Sequence, residues 1–367
     1  MRTHHVLIGL VTLVIAMAVV SFTAERKDAA ASPFTVGFVL PVTGDFGVYG
    51  EAARNAGLLA VEELRQQGMS ITAIVEDDRL DSKLAVSAAK KLLEVDKVDA
   101  LVSFSSGETL AVCPLTRAAG VILLTEASSP EVSKCGGYTF RNFPSDVNQG
   151  RVLADRARVG GYEKVFVAYL DNDYGAGLKQ EFERNFTGEA MVEAFAVQQR
   201  DFRTLVAKIK QYAPDLVVLI SYPTEGSQLL TQMDQLGLRA PIIGSESTKD
   251  DSIIPLLPKG VAERFAAVAV ADYTGIEAAR FRESYEARFG KKPAVFADYV
   301  YDNVMLLGAA IKRCPSAEGR PACLATQIRG TTFVGATGKI TFDAQGDVQA
   351  KPYDLFRITG NTFVVAK

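Results

Sequence analysis

Short apolar runs rich in valine and isoleucine alternate along the chain with amphipathic stretches. The runs are "FTVGFVL", "ITAIVED", "DALVSF", "VILLTE", "VFVAYL", "LVVLIS", "PIIGSE" and "FAAVAVA". Several are apolar throughout rather than alternating, which fits strands buried on both faces. Between them, "KLAVSAAKKLLEV" sets Leu84, Ala88, Leu92 and Val95 at steps of four and three, the apolar face of a helix. "FRTLVAKIKQY" and "GSQLLTQMDQLG" keep the same period, the second stopped by Gly237. Strand–helix alternation of this kind predicts an α/β fold with doubly wound parallel sheets.

Two openings are loosely repeated. "FVLPVTGDFGVYGEAA" and "VAYLDNDYGAGLKQ" each pass from a strand through a polar, aromatic and glycine loop into a helix, as two similar lobes would. The alternation breaks at "RNFPSDVNQG", at "VADYTG" and around "GTTFVGATG". Three breaks suit three crossings between two lobes, each built from separate parts of the chain.

In open parallel sheets, ligands sit beyond the carboxyl ends of the strands. There the sequence delivers Phe46 and Tyr49, then Ser105, Ser106 and Thr109, then Ser128 and Ser129. Further along come Tyr174, Tyr222 with Glu225, and Glu246. Serines at a helix start with free backbone N–H groups make an anion site, and a carboxylate on the opposite rim holds a cation. Ser106 and Ser128 facing a carboxylate, with Glu246 facing an ammonium, would suit a zwitterion. Each residue alone has a plainer reading as a cap, rim packing or a solvated charge; the weight lies in their recurrence at successive strand ends. No phosphate-binding glycine spacing is present, and "GATGK" at 335–339 reads as a turn. Glu76, Asp77 and Asp78 read as ordinary charges in a strand–helix loop.

Composition sharpens this. The 367 residues carry a net charge of −3 without basic runs, so nothing favours nucleic acid. Residues 1–31 join a basic start, an apolar run from Val6 to Val20 and a small-residue exit, the pattern of a secretory signal peptide. Cleavage after Thr23, Ala24 or Ala31 fits, and an uncleaved anchor is the rival reading. Both histidines, His4 and His5, lie in this leader, which removes histidine-based nucleophilic and metal chemistry from the mature chain. No enzyme, metal site or cofactor is expected. In an oxidising compartment the four cysteines are expected to pair locally, Cys113 with Cys135 and Cys314 with Cys323.

The stretches "VGFVLPVTGDFGVYGEAARNAGLLAVEEL", "EDDRLDSKLAVSAAKKLLEVDKVDALVSFSSGETLAVCPL", "DFRTLVAKIKQYAPDLVVLISYPTEG" and "YVYDNVMLLGAAIK" resemble the periplasmic leucine/isoleucine/valine-binding protein family of ABC importers. The resemblance covers nearly the whole mature chain. It implies the type I periplasmic binding fold, two Rossmann-like lobes with parallel sheets joined by three crossing hinge segments, closing on a ligand like a trap. The lobes would be 32–145 with 273–331, and 146–272 with 332–367. It implies that Ser106 and Ser128 hold an α-carboxylate, and that Glu246 with a backbone carbonyl of the 126–128 loop holds the ammonium. Tyr174 and Tyr222 would close from the second lobe, and Tyr49 and Phe104 would line the side-chain pocket. Glu126, beside Ala127, departs from the small residue usual there and points toward a polar or cationic side chain, while the aromatic residues point toward an apolar one. The resemblance implies a periplasmic, monomeric protein whose partners are a small-molecule ligand, an amino acid (branched-chain or other, with mostly apolar side chains favoured), and an ABC permease. Alternatives are a carboxylate or amide ligand, or a sensor without a transport role.

Overall fold

The computed structural model describes residues 33–349 and 351–366; the leader at 1–31 lies outside the described residues. The first part of the chain runs β1 (Phe34–Leu40), α1 (Gly47–Gln66), β2 (Ile71–Asp77), α2 (Ser82–Lys90), β3 (Ala100–Ser103), α3 (Ser106–Ala119), β4 (Ile122–Thr125) and β5 (Thr139–Arg141). These five strands pair in parallel in the order β2-β1-β3-β4-β5. The second part runs α4 (Asp146–Val159), β6 (Lys164–Leu170), α5 (Asp173–Asn185), β7 (Glu189–Phe195), α6 (Arg203–Tyr212), β8 (Leu216–Ile220), α7 (Pro223–Gln235), β9 (Ile242–Gly244) and β10 (Phe265–Val270). These strands are also parallel, in the order β7-β6-β8-β9-β10. The two orders are the same, so the loosely repeated openings at "VYGEAA" and "DYGAGL" mark the first turn of each of two like-wound lobes. In both, the order reverses beside the first strand, and the crevice at that reversal is where such sheets bind ligands.

The turn itself shows why the two openings look alike. A Cβ added at Gly50 would stand 2.0 Å from the carbonyl oxygen of Pro41, and one added at Gly175 would stand 2.0 Å from that of Leu170. Each helix thus starts against the end of its own strand, a close approach open only to glycine. Tyr49 and Tyr174, one residue earlier, are thereby set at matching places on the two strand ends.

Beyond β10 lie α8 (Ile276–Phe289), α9 (Ala297–Ile311) and α10 (Arg320–Gly330), and the hairpin of β11 (Phe333–Gly335) and β12 (Gly338–Ile340). β13 (Tyr353–Thr359) and β14 (Thr362–Val365) then add antiparallel to β10 of the second sheet. Helix α9 packs on α1, where Tyr301 donates to Glu63 at 2.7 Å. The sequence expectation put everything from 332 onward with the second lobe. The hydrogen bonds of this stretch run to α9 and β5: Asp302 of α9 accepts from the N–H groups of Ala336 and Thr337 at 2.7 and 2.8 Å. Arg141 of β5 donates its N–H to Gly346 at 2.8 Å, and its carbonyl accepts from Val348 at 2.9 Å. The hairpin reads locally like a strand entering the second sheet; only its long-range partners reveal its place.

Strand β1 feeds both faces of its sheet. Val36, Phe38 and Leu40 enter the large core shared with α1, while Val39 joins Leu101, Leu123 and Leu92 under α2 and α3. The apolar face expected in α2 is shifted. Ala85, Ala88, Ala89 and Leu92 are buried, but Leu84 and Val95 are 41% and 72% exposed. The helix widens into a π-helical turn at Lys91–Val95, which turns Val95 away from the sheet.

Both expected disulfides are present, Cys113–Cys135 and Cys314–Cys323, with Cα separations of 5.8 and 5.9 Å. Cys113–Cys135 ties α3 to the turn after residue 129 and closes a span of 22 residues. Replacing Cys113 and Cys135 together by serine should lower stability by about 3 kcal/mol, from the entropy regained by the unfolded chain. The midpoint of urea unfolding, compared with that of the wild type, checks this.

Candidate functional site

The carboxyl ends of both parallel sheets converge on one cavity. Phe46 reaches it after β1, Phe104, Ser105 and Ser106 after β3, and Glu126, Ala127 and Ser128 after β4. From the second lobe come Tyr174 after β6, Tyr222 after β8, and Glu246 and Ser247 after β9. Of the nine ligand-binding residues expected from the sequence, eight line this cavity.

The ninth, Tyr49, stands outside the cavity wall. Its hydroxyl donates to Asp250 Oδ2 at 2.5 Å, in a buried bond between the first lobe and the second. Arg200 and Asp45 bridge the same cleft at 2.7 Å. The lobes are latched together, and Tyr49 is part of the latch. Tyr49→Phe removes a hydrogen bond to a charged group, worth about 1.5–3 kcal/mol. Stopped-flow release of bound ligand should be roughly ten- to a hundredfold faster in this variant.

The floor of the first lobe is built on hydroxyls. Thr109 Oγ1 lies 2.7 Å from Ser103 Oγ and 2.8 Å from Thr125 Oγ1, and Thr125 accepts the Ala127 N–H at 3.0 Å. This buried chain fixes the 125–128 loop against the start of α3. Ser105 caps that helix in extended conformation and hydrogen-bonds Glu108 through its side chain. Ser106 is the first residue of α3, and its Oγ accepts the Ser129 N–H at 3.2 Å, which leaves its own hydroxyl proton to be donated. The positive end of the α3 dipole and this hydroxyl favour an anionic group here.

Arg141 holds the loop from below. Fully buried, it donates to the carbonyls of Ser128 and Ser129 at 3.1 and 2.7 Å, to Ser133 Oγ at 2.9 Å, and pairs with Asp347 at 2.8 Å. The Ser128 hydroxyl donates to Asp146 Oδ2 at 3.1 Å. Burial, against the opposing pull of Ser128 and Arg141, pushes the Asp146 carboxyl up to about 7. When Asp146 carries a proton it donates to Ser128, and the serine hydroxyl is released to donate into the cavity. The state of this pair thus decides whether Ser128 offers the site a hydrogen or a lone pair.

The second lobe supplies rings and an acid. Tyr174 and Tyr222 stack with centroids 5.8 Å apart and planes 8° from parallel. Tyr174 donates to Ser245 at 2.8 Å, and Asn172 both caps α5 and donates to the Tyr222 hydroxyl at 3.1 Å. Phe46 crosses to Tyr222 at 4.8 Å and approaches Phe104 at 6.0 Å, so the rings form one wall through both lobes. Glu246 opens a short 3-10 turn after β9; it is buried, and its Oε2 meets no hydrogen-bond donor. Burial raises the Glu246 carboxyl well above the usual range, with the charges of Asp146 and Glu126 acting in the same direction and Lys249 opposing.

Two lining residues escaped the sequence reading. Ser247 follows Glu246 and was hidden by it. Phe296 precedes α9 rather than following a strand, and faces Phe104 at 6.3 Å. Its φ of 71° is rare for an aromatic residue, and such strain gathers where a site requires it.

Comparison with known proteins agrees with this geometry. A family profile described as periplasmic binding protein matches residues 33–362. The chain belongs to the periplasmic binding protein family. It is 26% identical over 93% of its length to a leucine-, isoleucine-, valine-, threonine- and alanine-binding protein of Pseudomonas aeruginosa, covering 93% of that protein. It is 25% identical over 92% of its length to a Leu/Ile/Val-binding protein of Rhizobium johnstonii, covering 95% of it. Among solved structures, a leucine-binding protein of Thermotoga maritima superposes with a TM-score of 0.83 at 24% identity, over 91% of this chain and 97% of that one. A solute-binding protein of R. palustris solved with benzoate superposes at 0.82 and 22% identity, over 91% and 95%. These likenesses establish the fold of this periplasmic binding protein as two like-wound lobes around a cleft.

Proposed function

We propose that this periplasmic binding protein captures an α-amino acid outside the cytoplasm by lobe closure and presents it to an ABC importer, without catalysis. One observation carries the reading. A buried carboxylate with an unpartnered oxygen, Glu246, faces the same cavity as the Ser106 hydroxyl and the start of α3. A zwitterion answers both ends, its ammonium at Glu246 and the 126–128 loop, its carboxylate at Ser106 and Ser128. Tyr174 and Tyr222 cover it from the second lobe as rings, the Tyr174 hydroxyl being donated to Ser245. The curated relatives, named for amino acids, support the reading.

We assign 34–141, 276–340 and the strand-like segment to 348 to the first lobe, and 146–270 with 353–365 to the second. The crossings then fall at 142–145, 271–275 and 349–352. The mature protein acts as a monomer in the periplasm, its leader removed. A second reading, a carboxylate ligand without an ammonium, has the ring-lined wall in its favour.

A thermal-shift screen of protein unfolded and refolded free of carried ligand separates the two. A ligand at a hundred times its Kd adds about 2.7 kcal/mol and raises the melting temperature visibly. Amino acids should produce the rise; rises confined to benzoates and other simple carboxylates would establish the second reading instead.

A further inference from the structure

A zwitterion leaves one group of the site unanswered. Glu126 lines the cavity at 7% exposure, and its Oε1, buried, receives no hydrogen bond. An amino acid with an apolar side chain brings one ammonium to the site, and Glu246 takes it. Glu126 is then a second buried carboxyl without a partner, costly whether it is closed in as an unpaired charge or as an unsatisfied polar group. The surroundings add to the cost. Asp298 and Glu108 act on Glu126, and Asp146 and Glu126 act on Glu246, all repelling. Lys249, the cation that tempers Glu246, is itself bound to Asp272 and stands 3.9 Å from the centre of the Phe356 ring. Lys351 and Arg282 temper Asp298 rather than Glu126.

The cavity that Glu126 lines is also walled by the rings of Phe46, Phe104, Phe296, Tyr174 and Tyr222. Ring faces attract a desolvated cation, most of all beside a carboxylate. Rings and an unanswered acid together suit a cationic group better than a methyl or isopropyl group. We infer that Glu126 is a specificity-determining residue, and that this protein selects amino acids whose side chain ends in an ammonium or guanidinium group.

This inference rests on the amino-acid reading above and refines it. Burial holds both glutamate carboxyls above their usual range, and a bound cation works in the opposite direction by favouring the ionised form. Binding of a basic amino acid then releases protons, and affinity falls as the pH drops, because protonated carboxyls no longer match the cation.

Isothermal titration with matched pairs tests it: lysine against norleucine, ornithine against norvaline, arginine against citrulline. The members of the first two pairs differ only by the terminal amine. The protein should bind the cationic member of at least one pair more than tenfold tighter than its neutral partner. In buffers of different ionisation enthalpy, the same titration should show proton release. In Glu126→Gln, which keeps shape and removes charge, the cationic-to-neutral affinity ratio should drop at least tenfold. A melting curve as cooperative as the wild type's shows that the variant is folded. Tighter binding of norleucine and norvaline than of lysine and ornithine, or an unchanged ratio in Glu126→Gln, overturns the inference and leaves the amino-acid reading standing. Binding of none of the six, with binding of simple carboxylates, overturns that reading as well.

Discussion

Glu246→Ala should bind its amino acid about 30- to 4,000-fold more weakly than the wild type, a loss of roughly 2–5 kcal/mol for a buried charge stripped of its partner. Among the described residues of the second lobe, Glu246 is the acid that lines the cavity, delivered there after β9. The same change should leave the empty protein at least as stable. A buried carboxyl whose Oε2 is unpartnered, repelled by Asp146 and Glu126, weakens the empty fold. Its folded-state pKa lies above that of the unfolded chain, so its contribution favours the folded state at low pH and is lost as pH rises past the unfolded value. Near neutral pH, then, Glu246→Ala should melt at the same or a higher temperature while losing its ligand. That combination, read by calorimetry and titration on one sample, separates loss of a contact from loss of the fold. A variant that melted lower and bound as before would contradict both halves.

Arg141→Met should have the opposite signature, a large loss of stability of about 3–5 kcal/mol, as when one partner of a buried ion pair is removed. Its guanidinium answers Asp347, two carbonyls and a hydroxyl at once, all within 3.1 Å. Methionine fills part of the volume but strands the carbonyls of Ser128 and Ser129 and the carboxylate of Asp347. Arg141→Lys should recover little, since an ammonium cannot reproduce the planar fork. Because Arg141 joins the 128–129 loop to Asp347, close to the third crossing, ligand affinity should fall as well. Urea unfolding midpoints and titration at a temperature where the variant is still folded check the two effects.

Much of this was legible in the residues. Strand identity came from runs such as "VFVAYL" and "LVVLIS", which need no partner to declare themselves, and strand ends located Ser106, Ser128, Tyr174, Tyr222 and Glu246. The hidden parts depend on contacts between distant segments. Tyr49 reads as a pocket residue because it matches Tyr174, yet a partner 201 positions away, Asp250, makes it a latch. Arg141 gave no signal, since a lone arginine at the end of a short strand looks like any solvated charge. Phe296 lies before a helix, outside any rule about strand ends. The hairpin at 333–340 carries an ordinary strand pattern, and nothing in that pattern shows its bonds to Asp302 of α9.

The central claim is that the cleft closes on a zwitterion, and its most direct test removes one charge of the ligand at a time. Refolded wild-type protein is titrated with the amino acid it binds best, then with the amine lacking the α-carboxylate and the acid lacking the α-ammonium. Each truncation should weaken binding by two orders of magnitude or more, about 3 kcal/mol for each charged partner left alone. An acid lacking the ammonium that binds as tightly as the parent amino acid would contradict it, and would mean that Glu246 holds no cation.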